Sequence, residues 1–465
     1  MIARKYLYHV DPQPVSDQAT AEWLSAHCNG TTPDDIAASI AALVREKKLR
    51  AGARLPTIRT MASNLAISAG TVASAWAILR DDGIIDTRRR GGSFVQQLAT
   101  GFYHAQHDEA WLPSDLAYNS ADPELLPPIE SALMAGTKVR NLHSSAREYI
   151  IEPLRQAVAA QWPFAAGAWA IASSHSQALL LALQGVIPAG ATVAIEQPTN
   201  PALIDLVTRL GHEVIAIPCD REGPLPDVLE IAMARKPCAL IYQPRGHLPL
   251  GHALSRERLG ELAHIIRRAP GLMIIEDDAF GPLSAVPAQS LGTIFPLRTL
   301  LLRSYCRTYG LDLRICAIGG DKDMINKIRE SQPLGLANQS RILQGALAHL
   351  ITSRDTQALV ARAKTLYARR RAALSQALLR RGIAVNGAGE GLILWVPVKD
   401  ENQALLSLAT HGIIAGAGSR CYFSAPAEHH LRIASSRLPD RFAQVEHLAA
   451  LIAQASAGQA PDDFD

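Results

Sequence analysis

Apolar positions along residues 31–97 recur at helical spacing in three short runs, then shift to a strand-like pattern. Ile36, Ile40, Leu43 and Val44 stand at i, i+4, i+7 and i+8, one face of a helix that Thr32-Pro-Asp-Asp35 opens with proline and acids in its first turn. Gly52-Ala-Arg-Leu-Pro56 breaks that pattern. A second helix is predicted from the cap Thr57, burying Ile58, Met61, Ala62 and Leu65. A third is predicted from the cap Ser68, burying Val72, Ala75, Trp76 and Leu79 and ending at Gly83. Ile84–Thr87 and Ser93–Val95 then read as two short strands around Arg88-Arg-Arg-Gly-Gly92. Three short helices and a basic hairpin make a winged helix-turn-helix over 31–97. Residues 1–30 show little pattern and read as an N-terminal extension, and 98–115 read as a linker.

From about residue 116 short apolar runs alternate with helix-length segments. Strands are predicted at Thr192–Glu196, Glu213–Ile217, Cys238–Tyr242, Leu272–Glu276, Thr299–Arg303 and Arg314–Ile318, with helices such as Leu203–Leu210 and Glu257–Arg267 between them. That alternation predicts an α/β body, a mainly parallel sheet with helices on both faces. The stretch from about 345 to 455 predicts a smaller α+β subdomain: a helix over Ala346–Arg380, strands Leu392–Val398 and Gly412–Ala417, and a closing helix Arg441–Ala455. The body thus spans 116–455 and leaves a polar tail at 456–465.

Composition narrows the class. The chain has 465 residues, 48% hydrophobic and 19% charged, too long for one core and suited to a soluble globular protein. No apolar run reaches the ~18 residues of a membrane span, and the first residues lack the apolar core of a signal peptide. A cytoplasmic protein with no membrane partner is expected. The six cysteines (28, 219, 238, 306, 316 and 421) show no C-x-x-C spacing, so neither a zinc site nor a disulfide framework is expected, and no metal ligands are assigned. The net charge is +3, but residues 31–97 hold ten Lys/Arg against six Asp/Glu, a surplus of +4. A small basic head on a near-neutral body points to a polyanion.

The stretch GARLPTIRTMASNLAISAGTVASAWAILRDDGIIDTRRRGGSFV resembles the GntR family, with its L-P-S-x-R, S-x-x-T-V and wing G-x-G-T-F-V elements. The resemblance implies double-stranded operator DNA as partner, the third helix in the major groove, and contacts from Arg59, Ser68, Thr71 and the wing glycines Gly91 and Gly92. On physical grounds Arg54, Arg59, Arg88 and Arg90 suit phosphates, while only Ala69, Gly70, Thr71 and Ser74 on the outer face of helix three can reach base edges. The family usually has arginine at the position of Ala69, so base readout is expected to be weaker or different.

In the body, Ser304-Tyr-Cys-Arg-Thr-Tyr-Gly-Leu-Asp-Leu-Arg314 lies between two apolar runs, on a loop at the end of a buried strand, where α/β folds keep ligand sites. It resembles the cofactor-anchoring loop of fold-type I aminotransferases in the form found in the MocR subfamily of GntR-type regulators, Ser-Lys-Thr-x-x-Pro-Gly-Leu-Arg. There the lysine forms a Schiff base with pyridoxal phosphate (PLP). The resemblance puts Arg307 in the lysine's place. A guanidinium keeps its proton at any accessible pH and cannot serve as the imine nucleophile. No catalytic residue is therefore expected, and PLP, the cofactor the resemblance implies, is not expected to be held covalently.

Other motif positions carry over singly. Asp277, in Glu276–Phe280, matches the partner of the pyridinium nitrogen. His247 lies in the segment matching H-N-P-T-G, and Asn200, in Glu196–Pro201, takes the place of a ring-packing tyrosine. Ser174, His175 and Ser176 match the phosphate-side turn. Arg314 matches the phosphate-side arginine, and Arg432 the arginine that clamps a substrate carboxylate. Ala279 and Leu248 replace the tyrosine and asparagine near the cofactor's phenolate, and Ser144–Ile151 has no counterpart of the Y-x-D-P-x-G segment that reaches the partner's phosphate.

Three pocket states follow. Arg307 pairs with Asp277 and fills the ring's space; or an open pocket holds a small anionic effector, including PLP without a covalent bond; or PLP binds through another lysine. The leading functional reading is a DNA-binding transcriptional regulator whose body forms a head-to-tail homodimer and senses a small anion. The alternatives are a PLP-dependent aminotransferase with a fused DNA-binding domain, and a ligand-independent regulator that keeps the body as a scaffold.

Overall fold

A computed structural model of the chain describes residues 21–28, 30–45, 48–49, 52–81, 84–88, 92–95, 115–146, 148–331, 339–385 and 389–458. The chain divides into two units, Met1–His107 and Asp108–Asp465.

The first unit is built from helices α1 (Ala21–His27), α2 (Pro33–Arg45), α3 (Ile58–Leu65) and α4 (Ala69–Asp81) and the antiparallel pair β1 (Ile85–Arg88) and β2 (Gly92–Val95). The predicted stripes meet: Ile36 and Ile40 of α2, Met61 of α3, and Val72, Ala75 and Leu79 of α4 are buried in one core. Thr57 caps α3 by accepting the Thr60 amide at 3.2 Å, and Ala66, at φ 54, closes it. Two features go beyond the expectation. Helix α1 falls within the stretch read as an extension, and its Leu24 is fully buried in the same core. The Gly52–Leu55 break joins the wing, because Val95 donates to the Ala53 carbonyl and Leu55 to that of Ser93. The linker read over 98–115 lies, up to residue 114, outside the described residues.

The second unit centres on an eight-stranded sheet. Its strands are β3 (Ala168–Ala172), β4 (Thr192–Gln197), β5 (Glu213–Asp220), β6 (Gly223–Pro224), β7 (Ala239–Tyr242), β8 (Met273–Asp278), β9 (Thr299–Ser304) and β10 (Cys316–Gly320), in the order β3-β10-β9-β8-β7-β4-β5-β6. The five from β5 to β9 are parallel, while β10 runs against both its neighbours and β6 against β5. Successive side chains of a strand face opposite ways. Thus Val193 and Ile195 of β4 pack with helix His175–Val186 on one face, while Ala194 packs with helix Arg256–Arg267 on the other. The expected α/β architecture is observed, including both helical layers. Strand β3, an alanine-rich run, was not predicted.

The smaller subdomain holds strands β11 (Ile393–Val398), β12 (Gly416–Ala417) and β13 (His429–Ala434) in the order β11-β13-β12, covered by helix Phe442–Ala457. The single helix expected over Ala346–Arg380 is two, Arg341–Thr352 and Arg354–Leu379. Ser353 adopts an extended backbone and caps the second helix through the Thr356 amide. Among the described residues no single helix is long and apolar enough to cross a membrane.

Candidate functional site

The positions of the head expected to contact DNA have a defined geometry. Arg59 projects from the exposed side of α3, and Arg54 is exposed beside β2, where Gly92 has φ 89 and a Cβ would stand 3.3 Å from Arg54 Nε. Ala69, Gly70 and Ser74 lie exposed on the outer face of α4. Ser68 and Thr71 are tied to each other: the Ser68 hydroxyl accepts the Thr71 amide at 3.0 Å and lies 2.8 Å from the Thr71 hydroxyl. That is the geometry of a helix cap, so their first duty is to fix the start of α4. The side chain of Arg88, and all of Arg90 and Gly91, lie outside the described residues.

In the body, the pocket positions lie around the carboxyl ends of the parallel strands, the usual ligand edge of such sheets. Asp277 is 1% exposed near the end of β8, and neither of its oxygens has a hydrogen-bond partner among the described residues. His175, the first residue of helix His175–Val186, brings Nε2 to 3.0 Å from Asp277 Oδ1, at an angle that makes no hydrogen bond. Ser174 caps that helix through the Gln177 amide at 3.1 Å, and Ser176 is exposed on its first turn.

The Arg307–Asp277 pair, one of the three pocket states left open by the sequence, is not formed. Arg307 lies on the short helix Cys306–Tyr309, donating from Nη1 to the Ala279 carbonyl at 2.8 Å and from Nη2 to Asn119 Oδ1 at 3.4 Å. Burial lowers its pKa, and the nearby charge of Asp277 opposes that shift.

The remaining positions divide. Asn200 is the cap of helix Pro201–Arg209, its Oδ1 accepting the Ala202 amide at 3.1 Å. Arg314, at φ 48, has a side chain 65% exposed and lies 3.7 Å from Asp312, away from the buried group. Arg432, on β13, gives Nε to the Ala417 carbonyl at 3.1 Å and lies against Gly416, where a Cβ would come within 2.8 Å of Nη2. His247 is wholly buried, stacked on His252 with ring centroids 4.0 Å apart and with Nε2 3.3 Å from Glu196. Burial pushes both imidazoles down to about 3, so they are neutral at physiological pH, and burial pushes the Glu196 carboxyl up to about 8.

The sequence reading missed the strongest ionic group. Asp278 accepts Arg245 through two bonds, Nε to Oδ1 at 3.0 Å and Nη2 to Oδ2 at 2.9 Å, and Arg303 Nε at 2.6 Å. Burial alone would raise its carboxyl, but Arg303 and Arg245 together hold it near 2. Asp278 adjoins Asp277 in the Glu-Asp-Asp run, and period-two alternation was the available signal that the two point to opposite faces.

Comparison with known proteins gives an independent measure of kinship. Residues 129–451 match the family "Aminotransferase class I and II", and residues 32–95 match "Bacterial regulatory proteins, gntR family". The vitamin B6 salvage pathway transcriptional repressor PtsJ of Salmonella typhimurium is 30% identical over 432 residues, 92% of this chain and 99% of its own. The pyridoxine biosynthesis transcriptional regulator PdxR of Corynebacterium glutamicum is 24% identical, covering 87% of this chain and 92% of its own. Among solved structures, the Pyrococcus horikoshii kynurenine aminotransferase superposes with a TM-score of 0.67 at 19% identity, over 73% of this chain and 90% of that one. The α-aminoadipate aminotransferase LysN of Thermus thermophilus gives 0.65 at 20%, over 73% and 91%. At such identities the structural likeness concerns the fold.

Proposed function

Because the chain belongs to the MocR-type transcriptional regulators, in which a GntR head precedes an aminotransferase class I and II body, we propose that its body is a sensor that binds PLP reversibly. The head binds operator DNA, and two bodies join head to tail, so that two heads read paired half-sites in the cytoplasm. The observation that carries the reading is the unsatisfied carboxylate of Asp277, buried beside a helix N-terminus while Arg307 is engaged elsewhere. Two buried oxygens without a hydrogen bond, one of them 3.0 Å from His175 Nε2, are an acceptor for a ring N–H, since a buried polar group left without a hydrogen bond is costly. The first turn of helix His175–Val186, capped by Ser174, offers backbone amides to a phosphate. The names of PtsJ and PdxR, both tied to vitamin B6, favour PLP over other small anions.

Bound there, PLP would supply an electron-withdrawing ring and an aldehyde. Asp277 would hold the ring nitrogen's proton, and His175 would give up its place beside that carboxylate. Arg307 has no amine to condense with the aldehyde, which removes transamination by the lysine route. Equilibrium dialysis tests the proposal: wild-type chain is expected to take up about one PLP per subunit reversibly, and Asp277→Ala to lose most of it. Equal uptake by the two would overturn the assignment of the pocket.

A further inference from the structure

Behind the ligand edge, the chain gathers four side chains of metal-binding type that its sequence scatters. Glu196 is near the end of β4, Cys219 is on the neighbouring β5, and His247 and His252 lie on the loop that follows β7. One donor atom from each lies within 4.8 Å of all the others. Glu196 Oε1 is 3.3 Å from His247 Nε2, and Glu196 Oε2 is 3.8 Å from Cys219 Sγ. Ligand atoms about 2.0–2.3 Å from a tetrahedral zinc stand roughly 3.3–3.8 Å from one another, so these two separations already fit.

The unpaired nitrogens make a second, independent observation. His247 Nε2 and both ring nitrogens of His252 are buried and lack a hydrogen-bond partner among the described residues. Buried polar atoms are nearly always paired, and a gap in that rule needs a cause. The supports are rigid. The His247 amide donates to the His252 carbonyl at 3.0 Å, and the Gln243 amide to Glu196 at 2.6 Å, orienting a carboxylate as outer-shell partners do. Charge also balances, since a thiolate and a carboxylate neutralise a dication. The nearby guanidinium of Arg258 is already held by Asp220 and Glu261.

We propose that Glu196, Cys219, His247 and His252 form a structural site for a divalent zinc ion, clasping the carboxyl ends of β4, β5 and β7. Two neutral imidazoles, one thiolate and one carboxylate are a donor set matched to zinc rather than to calcium or magnesium. Ligation through His247 Nε2 requires the ring proton on Nδ1, so the 3.3 Å contact from the Leu250 amide to Nδ1 is given up. The expectation of no zinc site rested on C-x-x-C spacing. Here the donors come from two strands, β4 and β5, and the loop after β7, joined only in the fold.

The test uses the metal alone, so its outcome does not depend on whether PLP binds at Asp277. Full-length protein stripped with a chelator is titrated with cobalt(II) and, separately, with zinc. The expected result is about one equivalent of either metal, with the intense visible bands of tetrahedral cobalt and a thiolate-to-cobalt charge-transfer band that zinc abolishes. Cys219→Ser is expected to lose the charge-transfer band, while Cys238→Ser retains it. A wild-type chain that shows only the weak spectrum of hydrated cobalt overturns the proposal even where Cys219→Ser fails to fold. A charge-transfer band unchanged in Cys219→Ser overturns it equally.

Discussion

Asp277 and Asp278 are consecutive, both buried at the end of β8, and opposite in state. Asp278 has two guanidinium partners and holds the loop after β8 to β9, also accepting the Gly281 amide at 3.0 Å. Its carboxyl, near 2 in the folded chain, lies below the ordinary value of about 3.9. A depressed pKa contributes stability that is whole above about pH 4 and lost as pH falls toward 2, worth roughly 2–3 kcal/mol for such a shift. Asp278→Asn is expected to cost roughly 3–5 kcal/mol in urea unfolding at pH 7 by stranding two buried guanidinium groups, and to remove that acid-limb dependence. Asp277→Asn, which alters only the 3.0 Å approach of His175 Nε2, is expected to leave stability within about 1 kcal/mol. The motif alone gave the expectation that Asp277 is the carboxylate facing a ligand. It could not indicate the ion triad, because Arg245 arrives from the loop after β7 and Arg303 from β9. Nor could it show that Arg307 reaches the Ala279 carbonyl and Asn119, because residue 119 is remote in sequence.

Helix α4 separates the two ways an element can serve DNA. Ser68 and Thr71 fix its first turn, whereas Arg59, on α3, meets solvent. Ser68→Ala is therefore expected to lower the stability of the head by about 1 kcal/mol in thermal unfolding. Arg59→Ala is expected to leave stability unchanged while lowering DNA affinity and flattening the slope of log K against log salt by about 1. An unchanged salt slope would remove Arg59 from the phosphate contacts. Elements with one clear apolar stripe were legible, α4 to within a residue or two and α2 at its start, though α2 ends at Arg45, short of the expected break at Gly52. The helix pair divided at Ser353 was not, because apolar residues continue through the break. The signal was local and small, a serine followed by Asp355 in the next first turn. Strand β13, which carries Arg432, also escaped, since its six residues include two histidines and an arginine.

At the scale of the whole molecule the fold and the chemistry part company. The sheet and both helical layers match aminotransferases, yet the loop Ser304–Arg314, which resembles their cofactor-anchoring loop, holds no lysine. PLP at a hundred times its dissociation constant is expected to stabilise the body by ~2.7 kcal/mol, seen as a rise in its unfolding transition, and Asp277→Ala to abolish the rise. The central claim, reversible binding without an imine, is tested most directly by saturating the protein with PLP, reducing with borohydride and weighing the intact chain. The mass of the unmodified polypeptide is predicted for wild type, with a phosphopyridoxyl adduct on residue 307 appearing in Arg307→Lys. An adduct on the wild-type chain, mapped to a lysine of the body, would contradict it.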